Sequence, residues 1–174
     1  LGGGYDLVRG IAYIKVDSDK AYQAHTTIHE IGHGLTAPSF LFEHEGRILP
    51  SGGGVYQGKA RNGDKVRNDL VVLLEQLNEG VVDLFALSSG AYDPAKYHRD
   101  KVAYQPYVAA LLRMNASDPY VLHHIIQACF VNGLESAQEA ENFVVEFHQQ
   151  GVDYDPFNEL FDAYFDGVRG SVEQ

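Results

Sequence analysis

Near the N-terminus, His29-Glu30-Ile31-Gly32-His33 sets two imidazoles four positions apart and places a carboxylate directly after the first. On a helix, positions i and i+4 share a face, so both rings can bind one metal ion with the carboxylate beside it. Two imidazoles, a metal and a carboxylate able to move a proton are most of the parts of a hydrolytic zinc centre. With this chain's own His and Glu frequencies, such a pentapeptide arises by chance in about 2% of sequences this long. The plain alternative is an amphipathic helix with two hydrogen-bonded histidines. The rest of the chain must therefore supply a third ligand or leave the match an accident.

The elements that would position these residues are legible from period and punctuation. Residues 11–16, Ile-Ala-Tyr-Ile-Lys-Val, predict a strand. Asp17-Ser18-Asp19 offers an N-cap, and a helix from about Asp19 to Leu35 carries the pentapeptide, with Pro38 beyond its end. Residues 36–64 hold glycine clusters and two prolines and predict a long irregular segment bordering a cleft, with a short hairpin around Arg47 to Tyr56. Leu70, Leu73, Leu74, Leu77, Val81, Val82, Leu84 and Phe85 keep a helical period, predicting a helix over Val66 to Leu87 stopped by Ser88-Ser89-Gly90. A turn region from Tyr92 to Asp100 leads to a helix around Val102 to Met114. Ser117-Asp118-Pro119 opens the next, which ends at Asn132-Gly133; another runs from about Glu135 to Gln150; Asp155-Pro156 opens the last, which ends near Gly167. The expected fold class is α+β: a mostly helical domain with a small N-terminal β-sheet. It is read as a single domain over residues 1–174. Residues 1–62 supply the strand, the active-site helix and the cleft loop, and residues 63–174 a helical part carrying the third ligand.

The third ligand decides between the two readings, because a catalytic zinc takes three protein ligands and keeps one position open. Completion as H-E-x-x-H-x-x-G-x-x-H fails, since Thr36 holds the Gly position and Ser39 the third His position. A second helix offers Leu77-Asn78-Glu79-Gly80-Val81-Val82-Asp83. With this stretch the chain resembles the gluzincin metallopeptidases, of which thermolysin is the best known, whose second motif is N-E-x-x-x-D on a helix. Asn78, Glu79 and Asp83 match its three named positions. The matched motifs cover residues 29–34 and 77–86, and 45 residues separate His33 from Glu79.

The resemblance implies a zincin-like catalytic domain with Zn2+ bound by His29, His33 and Glu79, and Asp83 hydrogen-bonded to the outer nitrogen of a ligand histidine. It implies a zinc-dependent endopeptidase acting on a peptide or protein substrate, with Glu30 as the general base toward a zinc-bound water. An oxyanion-stabilising side chain is expected downstream of Glu79. Tyr92, Tyr97, Tyr104 and Tyr107 are available, with Tyr104 favoured and Tyr107 next. The strand at 11–16 would offer an edge for an extended peptide. The alternatives are a catalytically inactive zincin-like peptide-binding domain and metal-dependent hydrolysis of a non-peptide amide. The intact Glu30 weighs against the first.

Other features are weaker. His25 extends the histidine stripe by one turn, but three ligands from one straight helix cannot surround a tetrahedral ion, so it reads as a neighbour near the cleft. Glu43, His44 and Glu45 are another source of a third ligand, with no known spacing behind them. His123 and His124 point about 100° apart on a helix and do not form a metal pair. Gly52-Gly53-Gly54 lacks the context of a phosphate loop. Gly32, Gly34 and Gly80 suggest close helix approach, with a C-cap as the other role for Gly34. The single Cys129 excludes an intrachain disulfide and reads as a buried, inert thiol.

With 174 residues and 45% hydrophobic content the chain can bury a core. A net charge of −11 argues against nucleic acid and anionic membranes as partners. No apolar run has the length of a membrane span. The chain begins at Leu1 rather than Met, which reads as a processed or partial start and leaves the compartment open.

Overall fold

The computed structural model describes residues 2–6, 9–36, 38–44, 47–53, 70–100, 102–134, 136–151 and 157–172. It is mostly helical with two small antiparallel sheets, the α+β arrangement expected. The first sheet pairs β1 (Gly3–Asp6) with β2 (Ile11–Ile14), in a register that sets Gly3 opposite Ile14 and Asp6 opposite Ile11. Gly10, at φ +65°, returns its N–H to the Asp6 carbonyl at 2.7 Å, closing the turn in a conformation that glycine adopts without a Cβ penalty. The second sheet pairs β3 (Pro38–His44) with β4 (Arg47–Gly53). The hairpin therefore starts earlier than the sequence indicates and takes up part of the segment expected to be irregular. Tyr56 and the rest of residues 54–69 lie outside the described residues.

Helix α1 (Lys20–Leu35) begins where the cap predicts: Asp19 Oδ1 accepts from the backbone N–H groups of Ala21 at 3.0 Å and Tyr22 at 3.1 Å. The other Asp19 oxygen pairs with Lys96, which ties the start of α1 to α3 (Pro94–Arg99). Helix α1 ends at Thr36, whose hydroxyl donates to the His33 carbonyl at 2.7 Å. The helix buries an unusual face: His25, Thr26, His29, Glu30 and Gly32 are inside, while Ile31 and Leu35 are 47% and 56% exposed. Burying polar groups costs free energy unless each finds a partner, so this face needs partners across the core.

Helix α2 (Val71–Ser88) supplies them while forming the centre of the core. Leu77, Val81, Leu84 and Leu87 join the main apolar cluster with Val108, Leu111, Leu112 and Met114 of α4 (Gln105–Ser117). Each of these fully buried side chains contributes about 1.5–3 kcal/mol of burial. Helix α2 lies between α1 and α4, and glycines set the spacing on both sides. A Cβ on Gly32 of α1 would come within 2.8 Å of Val82, and one on Gly80 of α2 within 2.9 Å of the Tyr107 Cβ. Gly34 lies inside α1 rather than at its cap, and a Cβ there would come within 2.6 Å of the Tyr5 hydroxyl.

The remaining helices enclose the cluster. Helix α5 (Pro119–Gln127) starts at an Asp118 cap and runs into a single wider turn over Ala128–Asn132, which Gly133 ends at φ +68°. Helices α6 (Ala137–Gln149) and α7 (Phe157–Val172) follow, and Phe157 of α7 stacks on Tyr97 and His98 of α3. Helix α7 extends past Gly167 to Val172, and α3 occupies what the sequence reads as a turn. The starts expected at Val66 and at Asp155-Pro156 lie outside the described residues. Among the described residues, no helix is long and apolar enough to cross a membrane.

Candidate metal centre

Helices α1 and α2 bring three side chains to one point. His29 Nε2 lies 3.1 Å from Glu79 Oε2 and 3.1 Å from His33 Nε2, and His33 Nε2 lies 3.3 Å from the same Glu79 oxygen. These form a nearly equilateral triangle of donor atoms. Zinc bonds of about 2.0–2.1 Å set tetrahedral ligand atoms about 3.3–3.4 Å apart, so the triangle fits one face of such a site. Two imidazoles and one carboxylate also match the donor chemistry of a catalytic zinc site. Among the described residues these three form the one group of His, Cys, Asp and Glu side chains close enough to share an ion. Glu43 and His44 lie on β3, whose side chains are outside the described residues, as is Glu45 altogether. His33 sits in the last turn of α1, where the helix dipole favours positive charge.

Behind the triangle, Asp83 organises the rings. Its Oδ1 is 2.9 Å from His29 Nδ1 and 2.9 Å from His25 Nε2, and Tyr97 donates its hydroxyl to Oδ2. A carboxylate on His29 Nδ1 fixes the tautomer that turns Nε2 toward Glu79. Burial alone would raise the Asp83 carboxyl, but hydrogen bonds from His25 and His29 hold it well below the usual aspartate range. Burial pushes Glu79 up too, and the hydrogen bonds from His29 and His33 overcome it and hold the group at about 2. For His29 burial works downward; Asp83 and Glu79 more than reverse it and raise the imidazole to about 9.

Asp83 and Glu79 therefore favour the protonated His29 ring when no metal competes for it. A zinc ion held here would need the neutral ring, so at pH 7.5 its uptake should release about one proton from this residue. Glu79 releases none, being already ionised. The release should fade as the pH rises through about 9. Calorimetry of zinc binding in buffers of different ionisation enthalpy measures this, and a proton count near zero at pH 7.5 would contradict it.

Glu30 follows His29 around the helix and faces the first sheet. It is 7% exposed, and a Cβ on Gly3 of β1 would come within 2.9 Å of its Oε1. Burial raises its carboxyl above the usual value, although His29 and His33 pull the other way. A cavity of about 100 Å³ opens beside it, lined by Gly2, Gly3, His25, His29, Tyr104 and Asp83 among others. The volume admits several waters, each needing about 10–15 Å³ on this measure. Strand β1, which the sequence did not indicate, thus lies against Glu30.

Among the four tyrosines, the fold separates the roles. Tyr97 is buried against Asp83, Tyr92 donates to Asp100 at 2.8 Å, and Tyr107 packs on Gly80 and Phe147. Tyr104, at the N-terminus of α4, stacks on the His29 ring at 4.9 Å with the planes 4° apart. Burial, then the neighbouring charges of Glu79 and Glu30, push its phenol far above the usual range, so it stays a proton donor. Cys129 is buried and its thiol is pushed up to about 12 by that burial, in keeping with an inert core residue. Comparison with protein-family models, curated proteins and solved structures returns no match for this chain.

Proposed function

We propose that this chain is a zinc-dependent endopeptidase of the gluzincin type. The observation that carries the proposal is the triangle of His29 Nε2, His33 Nε2 and Glu79 Oε2 at 3.1–3.3 Å, with Asp83 behind His29 and Glu30 beside it. His29, His33 and Glu79 hold the ion. When bound, zinc supplies a Lewis acid that lowers the pKa of water and polarises a carbonyl. Glu30 accepts the proton of the attacking water on its carboxylate and delivers it to the leaving amine. Its raised pKa favours that return step, because a carboxyl nearer neutrality is a better acid. Tyr104 keeps its proton and donates a hydrogen bond to the oxygen that gains charge. Its stacking on His29 holds the phenol beside the metal ligands. Asp83 holds His29 in register throughout.

The proposal is tested by incubating the zinc-loaded protein with a peptide library of varied sequence and identifying products by mass spectrometry. Internal cleavage that stops on adding a zinc chelator is expected. Intact peptides across the library would contradict it.

A further inference from the structure

We propose that His25 is a positioning residue for the metal-binding ring of His29, acting through Asp83. The inference rests on the metal site proposed above and concerns what keeps that site rigid. His25 lies one helical turn before His29 on the same buried face of α1, and is 2% exposed. Its Nε2 donates to the same oxygen, Asp83 Oδ1, that accepts from His29 Nδ1, each at 2.9 Å. With Tyr97 on Oδ2, the carboxylate has a donor on every side from which it is approached. His25 is a second donor on Oδ1 beside His29, and the added bond holds Asp83 and the His29 ring in one orientation.

A purely packing role does not explain the residue. His25 touches the rings of Tyr92 and Tyr97 at 5.7 and 5.6 Å, contacts that a phenylalanine makes equally well. Its Nδ1 is buried without a hydrogen-bond partner among the described residues. Leaving a nitrogen unpaired costs free energy that an apolar ring avoids. The property of His25 that the site uses is its Nε2–H.

The test compares zinc affinity in the wild type, His25→Phe and His25→Gln by competition with a chelating dye, alongside the visible spectrum of each protein loaded with Co2+. Outer hydrogen-bond partners of metal ligands alter affinity by about 10–100-fold. His25→Phe is expected to weaken zinc by at least about tenfold and to change the Co2+ bands, with the far-UV circular dichroism unchanged. His25→Gln, which keeps a donor of similar reach, is expected to recover most of the loss. If His25→Phe does not fold, His25→Met fills the same space flexibly and carries the same expectation. Wild-type affinity and spectrum in the apolar variant would overturn the inference, as would equal weakening by Phe and Gln. A wild-type chain with no zinc affinity would overturn the metal site and this inference together.

Discussion

Replacing Glu30 with Gln is expected to leave zinc binding intact and to lower peptide hydrolysis by about 10²–10⁴-fold, the contribution of a positioned general base. Glu30 is not one of the three converging donors; its carboxylate lies against β1 and lines the same cavity as His29. Gln matches it in shape, so Gly3 keeps its neighbour, and it cannot take up a proton. The loss should fall on kcat, with zinc content and thermal midpoint near those of the wild type. A Glu30→Gln protein that cleaves peptides at the wild-type rate would remove Glu30 from the mechanism.

The second large effect belongs to Asp83. Asp83→Ala should lower the unfolding free energy of the zinc-free protein by about 3–5 kcal/mol, because it leaves buried partners of an ion pair uncompensated. His25 Nε2, His29 Nδ1 and the Tyr97 hydroxyl all lose their acceptor at once. Zinc affinity should fall as well, by about 10–100-fold, through the freed His29 ring. The acid dependence has a definite sign. The folded carboxyl lies below its ordinary value of 3.8, so its stabilisation is present above that pH and is lost as the pH falls below it. Urea titrations of the wild type and variant across this range measure both quantities, and a difference under about 1 kcal/mol at pH 7 would contradict the clamp.

Much of the site could be read from local spacing because it is built from local spacing. His29 and His33, and again Glu79 and Asp83, are four apart on helices, and each pair shares a face. Tyr104 could be favoured among four tyrosines from its place after Glu79, but its stacking on His29 depends on where the start of α4 lies in the fold, which no local pattern carries. The bond from Tyr97 to Asp83 joins two helices across the core and has no local signature. Strand β1 escaped notice because Gly2-Gly3-Gly4 has low strand propensity; it forms by pairing with β2 and seating against Thr26, Glu30 and Gly34 of α1. Helix α3 has only six residues and too few apolar positions to show a period, so the stretch read as a turn; in the fold Asp93 caps it and Pro94 stands in its first turn. The buried face of α1 is not its most apolar one. Ile31 and Leu35, four apart, are exposed, and the buried face carries His25, His29 and Glu30, with His25 and His29 paired to Asp83 and His29 also to Glu79.

The measurement that bears most directly on the metal centre is zinc stoichiometry of the purified wild type and His29→Ala, after dialysis against zinc in chelator-free buffer. The triangle of His29, His33 and Glu79 predicts about one tightly held zinc per wild-type chain and its loss from the variant. A wild-type chain that retains no zinc, or a His29→Ala chain that retains as much as the wild type, would contradict it.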